Sequence, residues 1–280
     1  VNTIAGKTIL LTGASGGIGS VIARQLAKKQ AKIIAVSRSL TGLEPVCLEI
    51  AASGGKVIPI PFDLTKIEEL PTLKAEIDRV AGSVDILINN AAVEKFRAFA
   101  DYSLAEMQWM LTTNLLAVME LSRLILPDML AKNSGHIVNI ASLAGKKGTP
   151  YNSVYSATKA GLIMWSDALR QELHDTNVNI SIVAPGYVNA GMFTRLGMDQ
   201  PEFANPCPPE AVADAVVQAI SQKKAEITVN SGLDTLILFA IGQFAPQFVD
   251  WVYRRIGLTE LNKSLVANQS QKEQLAAIKS

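Results

Sequence analysis

Apolar residues along this 280-residue chain come in short continuous runs separated by longer stretches with helical spacing. Thr8 to Leu11 is the first run, and Lys32 to Ser37, Val57 to Phe62, Asp85 to Ile88, His136 to Ile140, Asn179 to Ala184 and Glu226 to Asn230 repeat it. Runs of this length, several of them β-branched, suit strands buried on both faces. Between them the pattern predicts helices over Ile18 to Lys29, Thr41 to Ser53, Thr65 to Ala81, Ser103 to about Leu130, Tyr151 to Asp175 and Pro209 to Gln222. Thr65-x-x-Glu68 and Ser103-x-x-Glu106 have capping-box spacing. Sustained alternation without an internal repeat predicts an α/β fold: a single-domain, Rossmann-type, doubly wound parallel seven-stranded sheet with helices on both faces. That domain is expected to span residues 1–232, with a helical extension over 233–280.

Charge narrows the partners. Twenty-six basic and 25 acidic residues give a formal net charge of +1, and the charges are scattered, so no field for nucleic acid is expected. Cys47 and Cys207 lack redox or metal spacing and read as small buried hydrophobes in a reducing, cytoplasmic setting. His136 and His174 stand in no ligand cluster, so no metal site is expected, and both read as surface or helix-end residues. No signal peptide and no spanning segment are expected.

The stretch Thr12-Gly13-Ala14-Ser15-Gly16-Gly17-Ile18-Gly19 joins the first strand to the first helix. A strand turning through glycines into a helix gathers backbone N–H groups and the positive end of the helix dipole, which suits a phosphate. Gly13 makes the tight turn, Gly17 admits a pyrophosphate, and Gly19 lets helix and strand pack closely. After the second strand, where an acidic residue usually holds the ribose 2′-hydroxyl of NAD, stand Ser37 and Arg38. A guanidinium there pairs with a 2′-phosphate and favours NADP over NAD. Asp63 ends the third strand and can accept from an adenine amino group or cap the next helix. Asn89, with Ala91 and Ala92 after it, is placed against the adenosine ribose.

Ser142 follows the fifth strand, and Tyr155 and Lys159 stand at i and i+4 on the next helix, sharing one face. A nearby ammonium is expected to bring the phenol down toward the working range. With Asn114 and Pro185-Gly186, these motifs occur in the order found in short-chain dehydrogenases/reductases, and residues 5 to 230 resemble that family. The resemblance implies hydride transfer between a nicotinamide and a carbonyl or secondary alcohol. It makes Tyr155 the general acid, Ser142 the holder of the substrate oxygen, Lys159 the binder of the nicotinamide ribose, and Asn114 the holder of a water. It extends the cofactor contacts to Ser15, Ile18, Leu64 and Val188. Three positions depart from the family pattern: Ala92 replaces a glycine, Gly16 stands where NADP-preferring relatives carry a base, and Ala190 replaces a carboxamide-binding threonine that Thr194 would have to stand in for.

The segment Gly191 to Pro209, with Met192, Phe193 and Leu196, is expected to lie over the site and to favour an apolar substrate. Beyond it, Phe244, Phe248 and Trp251 fall on one face at helical spacing, followed by Arg254-Arg255. A helix packed on its own domain or on a second copy in a homodimer or larger homo-oligomer is the main expectation. An amphipathic lid or membrane-surface element is the alternative. Two other functions remain open: a serine hydrolase using Ser15 in G-x-S-x-G with His174, and a cofactor-binding sensor without turnover.

Overall fold

The computed structural model describes residues 3–190 and 206–278. Seven parallel strands form one sheet: β1 (Thr8–Thr12), β2 (Lys32–Ser37), β3 (Lys56–Pro61), β4 (Ile86–Asn89), β5 (Gly135–Ile140), β6 (Val178–Pro185) and β7 (Glu226–Val229). Their order is β3-β2-β1-β4-β5-β6-β7, so the direction of winding reverses between β1 and β4. Ligand crevices of doubly wound sheets open at the carboxyl ends of the strands flanking such a reversal. Ile33, Ile34, Ala35 and Val36 of β2 are all fully buried, as the continuous run requires. Pro59 and Pro61 fall in β3 at the edge, where a missing N–H costs no ladder bond.

Two helical layers cover the sheet. Helices α1 (Gly17–Lys28) and α2 (Leu40–Ala52) bury Ile22, Leu26, Leu43 and Ile50 against one face, and α7 (Pro209–Gln222) joins them through Val212 and Val216. The other face carries α3 (Leu70–Ala81), α5 (Ala117–Ala131) and α6 (Ser153–Glu172), through Leu73, Ile77, Leu121, Ile125 and Leu169. Helix α4 (Leu104–Leu111) runs into α5 through one π turn, Thr112–Leu116, so the predicted single helix carries a wide turn at Asn114. The capping box Ser103/Glu106 is formed. That of Thr65 is not: Pro71 has no N–H and sits at the start of α3, so a short turn over Ile67–Glu69 precedes it and Asp63, not Thr65, closes the loop.

The rod Leu104–Ala131 is long and apolar enough by length and composition alone to cross a membrane, although Glu106, Glu120, Arg123 and Asp128 interrupt it and 44% of its apolar window is buried in the protein. His136 departs from the surface reading. It is buried in β5, its Nε2 sits 2.7 Å from Ser181 Oγ on β6, and burial pushes its pKa down to about 4, with Lys223 adding to the effect. Alternation along β5 faces it inward. His174 is exposed at the end of α6 beside Asp175.

After β7 the chain forms α8 (Leu233–Phe244), α9 (Pro246–Arg255) and α10 (Leu258–Ile278). The predicted single face through Phe244, Phe248 and Trp251 is broken. Ala245 is extended (φ −133, ψ 65) and Pro246 opens a new helix, so Phe244 belongs to α8 while Phe248 stacks on Trp251 within α9 at 6.0 Å.

Candidate active site

Two cavities open side by side at the strand ends. The first, about 260 Å³, is lined by Gly13, Ser15, Gly17, Ile18, Gly19, Ser37, Arg38, Asp63, Leu64 and Ala91 among others. The second, about 320 Å³, contains Ser142, Tyr155, Lys159, Pro185, Gly186 and Val188. Ile18, Asn90 and Ala92 belong to both, so the two form one continuous crevice across the switch point.

The glycine turn is built by close approach. Gly13 has φ +68, and a Cβ there would lie 2.8 Å from Ala91 Cα. A Cβ at Gly19 would lie 2.1 Å from the Gly13 carbonyl oxygen, so no side chain fits at either place. Helix α1 begins at this turn with no side-chain cap and no acidic residue in its first turn. Its N–H groups and dipole are thus left for an anion. Arg38 is exposed at the rim and forms no ion pair among the described residues, while Ser37 Oγ donates to the Ser39 carbonyl. Asp63 lines the same wall, and its Oδ1 accepts from the Thr65 N–H (3.0 Å) and hydroxyl (2.9 Å), leaving Oδ2 for a ligand. A narrow crevice with an anion cradle in the middle and a lone cation at one end fits a phosphorylated dinucleotide.

One predicted contact is corrected. The Asn89 side chain turns away from the crevice into the sheet layer, donating to Asn139 Oδ1 at 2.8 Å and Ser122 Oγ at 3.3 Å. Its neighbour faces the crevice instead. Asn90 Nδ2 donates to the carbonyls of Thr12 and Gly13, and the N–H groups of Asn90 and Ala91 donate to Thr12 Oγ1, tying the β4 loop to the glycine turn. Strand alternation decides which of two adjacent asparagines points where. Trp109 and Thr113 also line the first cavity. Nothing in the sequence pattern marks them, since they reach it only by the packing of α4 and the π turn against α6.

In the second cavity Ser142, Tyr155 and Lys159 come together. Ser142 caps the turn after β5 through a bond from the Ala144 N–H to its Oγ (3.1 Å), and its hydroxyl stands near enough to the Tyr155 phenol to favour the ionised form. Lys159 is 2% exposed, its Nζ donates to the Ile140 carbonyl at 2.8 Å and lies 5.6 Å from the centre of the Tyr155 ring. Burial pulls its pKa down to about 8, partly offset by Glu94. The Tyr155 phenol does not descend toward neutrality as the spacing suggests. Burial and then Glu94 hold it well above the ordinary value, against the effect of the Ser142 hydroxyl, because the ammonium of Lys159 is directed at a carbonyl and not at the hydroxyl. In this state the phenol is a proton donor.

Asn114 acts as a bracket. Its Nδ2 donates to the Val93 carbonyl (2.7 Å) and Thr158 Oγ1 (3.2 Å), and its Oδ1 accepts from the Val93 N–H (2.8 Å). Both amide hydrogens are spent, so a water held here has no free side-chain donor to meet. The bracket fixes the next residue, Glu94, which the sequence reading passed over. Glu94 lines the second cavity, accepts from Asn152 Nδ2 at 2.5 Å, and is pushed up to about 7 by burial against that bond and Lys159.

The tail roofs this cavity. Leu238, Phe239, Tyr253, Ile256, Leu258 and Asn262 contribute to its wall, and Leu258, Leu261 and Leu265 pack on Phe96. A charged cluster pins it: Lys95 and Arg97 pair with Glu106 of α4 and with Glu273 of α10, the latter at 3.1 and 2.5 Å. Cys207 is buried and pairs backbone with Tyr187 and Asn189. Met192, Phe193, Thr194 and Leu196 lie outside the described residues. Neither histidine lines either cavity, which leaves a hydrolase based on Ser15 without its base.

The comparisons agree with this geometry. Residues 7–201 match the family model for short chain dehydrogenase. Ketoacyl reductase HetN of Nostoc sp. (strain PCC 7120) is 50% identical over 274 residues, 96% of each chain. A solved metagenomic short-chain oxidoreductase in complex with NADP is 30% identical, with a TM-score of 0.72 over 82% of this chain and all of that one. A Burkholderia phymatum enzyme in complex with NAD shares the fold at 22% identity and a TM-score of 0.79, covering 88% of this chain and 96% of its own. With the sheet order, the glycine turn and the Ser142, Tyr155 and Lys159 cluster in one crevice, the chain belongs to the short-chain dehydrogenase/reductase family of oxidoreductases.

Proposed function

We propose that this protein uses NADPH to reduce the ketone of a β-keto acyl group to a secondary alcohol. The observation that carries the reading is the Tyr155 hydroxyl, kept protonated beside Ser142 and Lys159 on the wall of an apolar cavity that continues into the glycine crevice. The cofactor supplies the hydride; the chain supplies everything that makes the carbonyl oxygen ready to receive a proton. Ser142 and Tyr155 hydroxyls hold that oxygen, and the charge that develops on it is met by two positioned donors. Tyr155 gives up its proton, and Lys159 nearby is the cation that stabilises the phenolate left behind. Gly13, Ser15, Gly17, Ile18, Gly19, Leu64, Asp63, Asn90 and Ala91 would hold the dinucleotide, with Pro185, Gly186 and Val188 at its nicotinamide end.

NADP is favoured because Arg38 is a cation with no ion-pair partner among the described residues, where a 2′-phosphate would lie. The acyl class is supported by the ketoacyl reductase relative, whose match runs over 274 residues and so takes in the tail that roofs the cavity. Consumption of NADPH and of NADH in parallel, followed by absorbance with β-keto esters, simple ketones and aldehydes, tests the reading. Faster turnover with NADPH on the β-keto esters is expected; oxidation of neither cofactor by any carbonyl, with NADPH still bound, would favour a sensor. We also propose a homo-oligomer, because Leu104, Leu111 and Leu116 stand exposed along the α4–α5 rod. Light scattering measures this, and flotation with anionic vesicles tests the alternative of a lipid surface for Phe244, Trp251, Arg254 and Arg255.

A further inference from the structure

Glu94 is a carboxylic acid in the wall of the substrate cavity with no counterpart in the chemistry above. Asn152, Asn262 and Lys159 share the cavity wall with it. One amide hydrogen of Asn152 goes to Glu94 itself, and one of Asn262 on α10 goes to the Pro150 carbonyl at 2.7 Å. Because a carboxylate and a carbonyl accept, each amide must turn its nitrogen toward them, and the Oδ1 atoms of Asn152 and Asn262 are left buried without partners.

Of the cations nearby, Lys95, Arg97 and Lys147 are held in ion pairs, and Lys159 keeps its charge in the cavity wall opposite Glu94. Lys159 donates to the Ile140 carbonyl, Lys147 pairs with Asp250 of α9 at 2.8 Å, and Lys95 and Arg97 are held by Glu106 and Glu273. Tyr155 of α6, Tyr187 after β6, Tyr102 before α4 and Tyr253 of α9 complete the ionisable groups around it, and all four phenols are raised by burial and remain neutral near pH 7. An anionic group entering here meets Lys159 alone while Glu94 is protonated, and meets an already balanced pair once Glu94 ionises, so ionisation removes the cation's pull.

We propose that Glu94 is a specificity-determining residue that turns away substrates with a free carboxylate beside the reacting ketone and admits neutral ones, an ester or thioester. The proposal rests on the ketone-reducing reading and adds to it the charge state of the acyl group. A β-keto acid and its ester present the same ketone to the same Tyr155, so their ratio of kcat/KM cancels the proton-transfer step and isolates the carboxylate.

The test compares ethyl acetoacetate with acetoacetate, with NADPH, from pH 5.5 to 7.5, a window below the Lys159 titration and above that of the substrate acid. For the wild type the ester-to-acid ratio should rise about tenfold across the window as Glu94 ionises. In Glu94→Gln, which can still accept from Asn152, the ratio should stay flat and lie about tenfold below the wild-type value at pH 7.5. Glu94→Asp, which keeps the charge, should restore the rise. A flat wild-type ratio, or a Glu94→Gln ratio equal to that of the wild type, overturns the assignment of Glu94 and leaves the reductase reading standing. Failure of the wild type to reduce either ketone removes that reading, and this proposal with it.

Discussion

The two halves of the crevice are built on different plans. The cofactor half leans on residues close together in sequence: the glycine turn within eight positions, and Ser37 and Arg38 at one strand end. The substrate half is assembled from distant segments, with Asn262 reaching the Pro150 carbonyl, Gln269 accepting from the Phe96 N–H, and Glu273 gripping Arg97. The first is rigid by local geometry. The second is held by side chains on a terminal helix, and next to it Phe244 stands 93% exposed. A family-wide chemistry can thus be kept in one half while the other is free to change what it admits.

Four changes probe that division. The largest concerns buried charge in the core. His136 is pushed down to about 4 in the folded chain, so the unfolded chain binds the extra proton between pH 6.5 and 4. Stability is complete above pH 6.5 and falls by up to about 3 kcal/mol as pH drops through that window. Glu94 works oppositely: raised to about 7, it costs stability as pH climbs from 4.5 through 7. Glu94→Gln should therefore gain up to about 3 kcal/mol at pH 8 and nothing at pH 4.5, while His136→Asn should remove the acid-side loss. Denaturant unfolding at four pH values separates the two slopes, and coincident curves for all three proteins would contradict both.

Next in size, Arg38→Asp should shift the preference between NADPH and NADH by about a hundredfold, through lost pairing and a new repulsion, read as a ratio of kcat/KM. An unchanged ratio would place the 2′-phosphate elsewhere. Smallest, Glu273→Ala frees Lys95 and Arg97 from α10 and should raise KM for the ketone about fivefold with little change in kcat. An equal loss in kcat would show that the tail supports the reacting groups themselves.

The division also marks what the sequence makes legible. Strands and their parallel order follow from continuous apolar runs, and Gly13, Gly17, Gly19, Arg38, Ser142, Tyr155 and Lys159 lie in the crevice where spacing puts them. Short-range rules break where two neighbours compete. Asn90 and not Asn89 faces the crevice because strand alternation decides it, and Asp63 and not Thr65 closes its loop because Pro71 delays the helix. His136 looks like a surface residue until β6 supplies Ser181. Glu94 carries no local signal at all: its importance arises from Asn152, Lys159 and the tail being folded around it. The phenol was expected to be lowered by Lys159 because i and i+4 share a face, yet the direction in which Nζ points, toward Ile140, is not a property of spacing.

The central claim is that the Tyr155 hydroxyl delivers the proton to a ketone in this crevice. Turnover and NADPH binding of Tyr155→Phe, measured side by side, test it most directly. The account predicts that NADPH fluorescence still titrates with wild-type affinity within about threefold while kcat falls by about a thousandfold or more. A variant that turns over at the wild-type rate would contradict it.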